Sequence, residues 1–185
     1  MSFLSNSELK KFKFVGKNVK LSSNATFYYP ETIEIGDNSR IDDFCVLSGN
    51  IKIGKNVHIA THNILAGGES GLNIGDYVGI AAMCHIFCKS DDYKGGYFNG
   101  PTVNKKFTNQ LDKSINIEKH VLIGTNVVVL QGTVIGEGSS VYLNSVAKGN
   151  LEDWSIFSGN PIRKVGERDK ALKALELEFI QESGG

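Results

Sequence analysis

Ile74-Gly75-Asp76-Tyr77-Val78-Gly79 is followed at once by Ile80-Ala81-Ala82-Met83-Cys84-His85. The same beat stands upstream in Ile53-Gly54-Lys55-Asn56-Val57-His58 and Ile59-Ala60-Thr61-His62-Asn63-Ile64. After a break it resumes at Ile117-Glu118-Lys119-His120-Val121-Leu122 and runs through Ile123-Gly124, Val129-Leu130, Ile135-Gly136 and Val141-Tyr142. An aliphatic residue recurs at every sixth position, a small or polar residue follows it, and Gly, Asn or Asp fills the turn between. This hexapeptide period predicts an all-β chain wound as a parallel β-helix. Each hexapeptide supplies one short strand and one corner, and three strands close a coil of a triangular prism. Coils stack at about 4.8 Å, the spacing of hydrogen-bonded strands. A single coil cannot bury its own aliphatic face, so several must stack. A β-sandwich has no reason to hold a phase of six over so many turns.

Working outward, the beat is weaker at Val15-Gly16, Leu21-Ser22 and Ile35-Gly36, and Tyr28-Tyr29-Pro30 reads as an irregular corner with exposed aromatics or an aromatic cap. Residues 1–14 form a lead-in, with a short helix expected near Ser7–Phe12 capped by Ser7. The β-helix is expected over 15–166. Two interruptions break it: the glycine-rich Gly67–Gly71 and a long, polar, aromatic-dotted loop over 91–114 that carries Tyr93, Tyr97, Phe98 and Phe107. A loop of that length on a rigid scaffold is usually functional. The last stretch, 167–185, shows helical spacing at Leu172, Leu175, Phe179 and Ile180 and predicts an amphipathic C-terminal helix and tail. Gly184-Gly185 reads as an appended remnant.

The 185 residues are enough for one domain, and 41% hydrophobic content is enough for a core. Lys+Arg 20 against Asp+Glu 20 leaves no net charge, which removes the electrostatic case for nucleic acid as partner. No apolar run is long enough to span a bilayer, and Met1-Ser2-Phe3-Leu4-Ser5 has no signal-peptide pattern, so the expected location is cytoplasmic. Cys45, Cys84 and Cys88 form no zinc-like CxxC pair; buried free thiols are expected, and no metal.

The hexapeptides, the Ser90-Asp91-Asp92-Tyr93 start of the long loop, the run from Val121-Leu122-Ile123-Gly124 to Val134-Ile135-Gly136, and the terminal Ser158-Gly159-Asn160-Pro161-Ile162-Arg163 resemble the left-handed β-helix (hexapeptide-repeat) acyltransferase superfamily. Within it the likeness is to sugar O- and N-acetyltransferases of the galactoside/maltose and surface-polysaccharide types, over roughly residues 15–168. The resemblance implies a left-handed prism, a homotrimer, acetyl-CoA as co-substrate in a groove between prisms, and a sugar or nucleotide-sugar acceptor under the long loop. It implies cofactor contacts at Gly124, Thr125, Leu143, Lys148 and Arg163, with Lys164 and Arg168 close enough in sequence to share the phosphates.

Transfer to a hydroxyl requires a base and a donor for the thioester oxyanion. Where galactoside-type enzymes place a histidine, this chain has Asp91. His85 and then His62 are therefore the base candidates, with Asp91 as a third; His58 and His120 read as corner or surface residues. Thr61, Asn63, Glu69, Asp92 and Tyr93 are the candidate acceptor contacts. An amine acceptor would ease the demand for a strong base, because a free amine is already nucleophilic. Rival readings are a non-catalytic trimeric scaffold, a γ-carbonic-anhydrase-like metal site and, ranked low, antibiotic acetylation.

Overall fold

A computed structural model describes residues 2–182; the Gly184-Gly185 reading lies outside them. The chain winds as a parallel β-helix whose three flat faces are sheets of seven, eight and six strands. The register repeats the sequence period. On the first face Val15, Ile35, Ile53, Ile74, Ile117, Ile135 and Leu151 stack in one column. On the second the column is Leu21, Ile41, Ile59, Ile80, Ile123, Val141 and Phe157. On the third it is Phe27, Leu47, Leu65, Ile86, Val129 and Ala147. Nearly all are buried, so the aliphatic beat is the core.

The corners explain the rest of the beat. A Cβ on Gly54 would lie 2.7 Å from the Asp76 nitrogen of the next coil, and one on Gly75 2.7 Å from that of Lys119, so glycine is required after the inward aliphatic at these two corners. Asp76 then accepts a hydrogen bond from the Lys55 amide at 2.8 Å, and Asp37 and Asp153 do the same for Lys17 and Glu137. One corner column turns through the left-handed region at Asn18, Asn38, Asn56, Tyr77, His120 and Trp154, another at Phe44, His62, Met83, Asn126 and Asn144. Asn tolerates that conformation; bulkier residues are held in it by the hydrogen bonds of neighbouring coils.

Both ends depart from expectation. The lead-in helix is Asn6–Leu9, and Ser5 rather than Ser7 starts it, with the Glu8 carboxylate accepting from the Ser5 amide at 2.8 Å. At the far end Arg163–Glu167 is a strand, antiparallel to Ser155–Ser158, and the C-terminal helix is Leu172–Glu182. The helix docks on the second face through Glu176, which meets Lys119 at 2.6 Å and His120 Nε2 at 2.9 Å. His120 is thus a buried corner residue, stacked on Tyr77. Arg168 donates through Nη1 to the backbone carbonyls of His120, Gly138 and Ser139.

Burial opposes ionisation of Glu176, but the hydrogen bonds from Lys119 and His120 outweigh it and hold its carboxyl below the ordinary 4.5. A depressed acid stabilises the docked state fully above 4.5, and that stabilisation is lost as the pH falls through the lowered value. Trp154, the sole tryptophan, lies 5.0 Å from Lys173 Nζ of the helix segment and reports the event. Acidification below about 4.5 is expected to shift Trp154 emission in the wild type. Glu176→Gln should lose most of that shift; identical titrations of the two proteins would contradict the assignment.

Candidate active site

The long interruption is an arm with a built base. Lys89–Asp91 pairs antiparallel with Gln110–Asp112, so the excursion starts two residues before the expected Asp91. Asp112 ties this ribbon to the coil below by accepting from the amides of Glu69 at 2.9 Å and Ser70 at 3.2 Å. Those bonds override the opposing effect of its burial and keep its carboxyl below the usual range. Gln131 of the coil above donates to Ser90 Oγ at 2.9 Å. The arm is therefore held from both sides.

Beneath it opens a cavity of about 880 Å³. Phe87, Val128 and Leu130 give it an apolar floor; Ser90, Asp91, Asp92, Tyr93, Tyr97, Gln131 and Lys148 give it a polar rim. Asp91 is oriented by the Gly100 amide at 3.0 Å and the Gln110 side-chain amide at 3.2 Å. Asp92 accepts from the Lys94 amide at 2.9 Å and from Asn109 at 2.8 Å, and those bonds hold its carboxyl below the usual range. Asp91, Asp92, Tyr93 and Lys148, chosen from the sequence, thus meet at one cavity. Glu69 stands beside it, exposed, 3.8 Å from Lys89 Nζ. Phe87 and Gln131 also line it and carry no sequence signal; only the folding back of the arm makes their outward positions into walls.

The remaining candidates sit elsewhere. Thr61, His62, Gly124, Thr125 and Leu143 lie along the corner between the second and third faces, where the Met83 amide bonds Thr61 O and the Asn144 amide bonds Thr125 O. A Cβ on Gly124 would lie 2.6 Å from the Leu143 nitrogen, so that glycine is required by coil packing. His62 is exposed there, its ring 5.0 Å from that of Phe44. Asn63 is not available to an acceptor: it is 0% exposed, donates to Ala60 O and accepts from the Cys84 amide, both at 2.7 Å. His85 points outward on the third face, 5.8 Å ring to ring from Phe87, and does not line the cavity. His58 meets Asp42 at 2.9 Å; the bonds from His58 and Arg40 outweigh the burial of Asp42 and keep its carboxyl low.

The acceptor contacts expected together therefore fall into two groups on opposite edges of the third face: Thr61 and His62 at one, Glu69, Asp91, Asp92 and Tyr93 at the other. Of the expected phosphate partners, Arg163 is exposed on its strand, whereas Lys164 is already held by Glu152 at 2.7 Å and Glu167 at 2.5 Å. Cys45, Cys84 and Cys88 are buried and free, and burial pushes the Cys45 and Cys88 thiols up to about 11. Among the described residues no group of three or more His, Cys, Asp or Glu side chains converges as a metal-binding set. Among them, too, no helix is long and apolar enough to cross a membrane.

Residues 32–67 match the family Bacterial transferase hexapeptide (six repeats). The chain is 38% identical over 184 residues to the dTDP-4-amino-4,6-dideoxy-D-glucose acyltransferase of Escherichia coli, covering 97% of this chain and 95% of that one. Its fold superposes with a TM-score of 0.96 and 40% identity on AntD, an N-acyltransferase from Bacillus cereus, in complex with dTDP and 3-hydroxybutyryl-CoA, covering 100% and 99% of the two chains. A variant of the same Bacillus cereus enzyme, in complex with dTDP-4-amino-4,6-dideoxyglucose and coenzyme A, gives a TM-score of 0.95 at 41% identity over 98% of each chain.

Proposed function

The chain belongs to the hexapeptide-repeat, left-handed β-helix acyltransferases, and from that membership and the cavity beneath the arm we propose that it acylates the amino group of a nucleotide-linked amino sugar, with acyl-CoA as donor. The observation that carries this reading is the cavity itself: a carboxylate, Asp91, on the rim of an apolar-floored space below an arm. It is supported by likeness over nearly the whole chain to enzymes whose complexes hold dTDP, an amino sugar and acyl-CoA.

An amine enters water mainly as ammonium, and Asp91 can hold that cation and take its proton. The free amine attacks the thioester carbonyl, a C–N bond forms, the C–S bond breaks, and the departing thiolate takes up a proton. An amine demands less of its base than a hydroxyl does, which fits a site walled by a carboxylate and not by histidine. Product in this reading is an amide. Acetyl-CoA is the donor expected from the sequence; the acyl group carried by the neighbour's complex is 3-hydroxybutyryl.

The two half-sites support a homotrimer. Closed threefold packing sets one edge of a face against a different edge of the next copy. That joins the arm and Asp91 of one subunit to the Thr61, Gly124 and Leu143 corner of its neighbour, with the acyl-CoA between them. Three buried unpaired thiols support a reducing compartment, hence the cytoplasm.

Arg163 is the proposed phosphate partner of the donor. Arg163→Ala is expected to raise KM for acetyl-CoA about tenfold, the loss of one exposed charge-assisted bond. Lys164→Ala should leave that KM within about twofold, because its ammonium is already engaged by Glu152 and Glu167. The reverse order would reassign the phosphate site.

The whole reading is tested by thiol release from acetyl-CoA with dTDP-4-amino-4,6-dideoxyglucose against the same nucleotide sugar bearing a hydroxyl at C4. Turnover with the amine alone is expected. Turnover with the hydroxyl alone overturns the amine assignment; neither turnover nor acetyl-CoA binding would favour a non-catalytic scaffold.

A further inference from the structure

The three faces of the prism differ in what they turn outward. On the first, Glu34, Lys52, Asn73 and Asn116 stand in register, a polar ladder suited to water. On the second, Lys20, Arg40 and His58 form one column, and Gly79 and Leu122 above them line a cavity together with Leu175 and Phe179 of the C-terminal helix. The third has neither feature. Its outward column is Val46, Ile64, His85, Val128 and Val146, with Ser48, Ala66 and Phe87 running beside it. All of these are half-buried, and none is Lys, Arg, Asp or Glu. The arm overhangs this face at Phe87 and Val128.

Two observations name what covers it. A column without fixed charge can meet its own copies around a threefold axis, whereas on the second face Lys20 and Arg40 would each meet themselves. The corner of Thr61, Gly124 and Leu143 runs along one edge of the third face and the arm leaves from the other. Copies that join corner to arm must turn this face toward one another. His85 sits in the middle coil of the column. Among the described residues its ring has no hydrogen bond or ion pair, and it lies 5.8 Å from that of Phe87. The strands on either side present Ile64 and Val128 to it. The nearest charges on this face are the Lys89–Glu69 pair at the arm edge and Lys148, which follows Val146 two coils above.

Resting on the homotrimer reading above, we propose that the third face is the surface on which three copies of this chain assemble, and that His85, the ionisable member of its outward column, makes the assembly dissociate in acid. A neutral imidazole fits among valine and isoleucine. A protonated one brings three like charges into an apolar seam with no carboxylate against them, which burial opposes. Free imidazole titrates near 6.5. Assembly is therefore fully favoured above about 6.5 and weakens as the pH falls below it.

The experiment is sedimentation of the full chain over a concentration series at about pH 7.5 and 5.5, with His85→Leu and His85→Lys beside the wild type. The wild type is expected to be a trimer at the higher pH, with its association constant weakened at the lower by up to about tenfold for each of the three histidines. His85→Leu should remain a trimer at both. His85→Lys should be monomeric at both while keeping a cooperative thermal transition; if it does not fold, His85→Leu still decides. A folded, trimeric His85→Lys overturns the face, and wild type and His85→Leu responding alike to pH overturn the switch; in either case the homotrimer itself stands. A wild type that is monomeric at both pH values overturns the homotrimer as well.

Discussion

Asp91→Asn is expected to lower kcat for acylation of a nucleotide-linked amino sugar by about 100- to 10,000-fold, the span that one positioned proton acceptor contributes. KM for acetyl-CoA should stay within about twofold. Asp91 reaches the cavity from the ribbon at the arm's base, where the Gly100 amide and the Gln110 side chain fix its two oxygens. The amide of Asn offers one acceptor where the carboxylate offers two, and no charge for an ammonium. A pH profile separates chemistry from support. At high pH the acceptor amine is already free, so the deficit of the variant should shrink as pH rises. A structural defect would not shrink, and Asp91→Glu should recover part of the rate only if the charge is what matters. Undiminished kcat in Asp91→Asn would return the base to His85 or His62.

Mixing two dead subunits is expected to restore activity. Leu143→Arg puts a charged side chain into the corner proposed for the donor; Leu143 is 61% exposed, so the prism is left intact. Alone, this variant and Asp91→Asn should each fall below about one-hundredth of wild-type turnover. Co-assembled and purified through two different tags, about a third of the interfaces in the mixed trimers unite an intact arm with an intact corner, and activity should return toward that fraction. The physical ground is the width of the third face, which sets Asp91 and Leu143 on opposite edges of one chain. Mixed trimers no more active than their parts would mean that each chain holds a complete site.

The fold was legible because a β-helix writes its burial pattern directly into the chain. Each inward position is one aliphatic residue per six, and the register puts Ile53, Ile74, Ile117 and Ile135 on top of one another. The end of the prism was less legible. Arg163–Glu167 forms a strand with almost no buried side chain, so it carries no periodic signal, and the helical spacing beyond it extended too far back. The site was half legible. Asp91, Asp92, Tyr93 and Lys148 meet at a cavity because an arm long enough to be noticed in sequence folds back over its own base. Asn63 misled because a corner asparagine looks the same whether it faces solvent or caps the next coil, and here it caps Cys84. Lys164 and Arg168 show a related limit: a charge in sequence does not show its partner, and theirs are Glu152, Glu167 and three backbone carbonyls. The spread of the candidates over two edges was legible in principle, since six-residue spacing fixes the corner a residue occupies: Thr61 and His62 precede a third-face strand, whereas Glu69 and Asp91 follow one.

The claim that this chain makes an amide on a nucleotide-linked sugar is tested most directly by the product. With carbonyl-labelled acetyl-CoA and dTDP-4-amino-4,6-dideoxyglucose, NMR should show the label coupled to an amide proton that is itself coupled to the sugar proton at C4. Label found in an ester on a sugar hydroxyl, or only in free acetate, would contradict it.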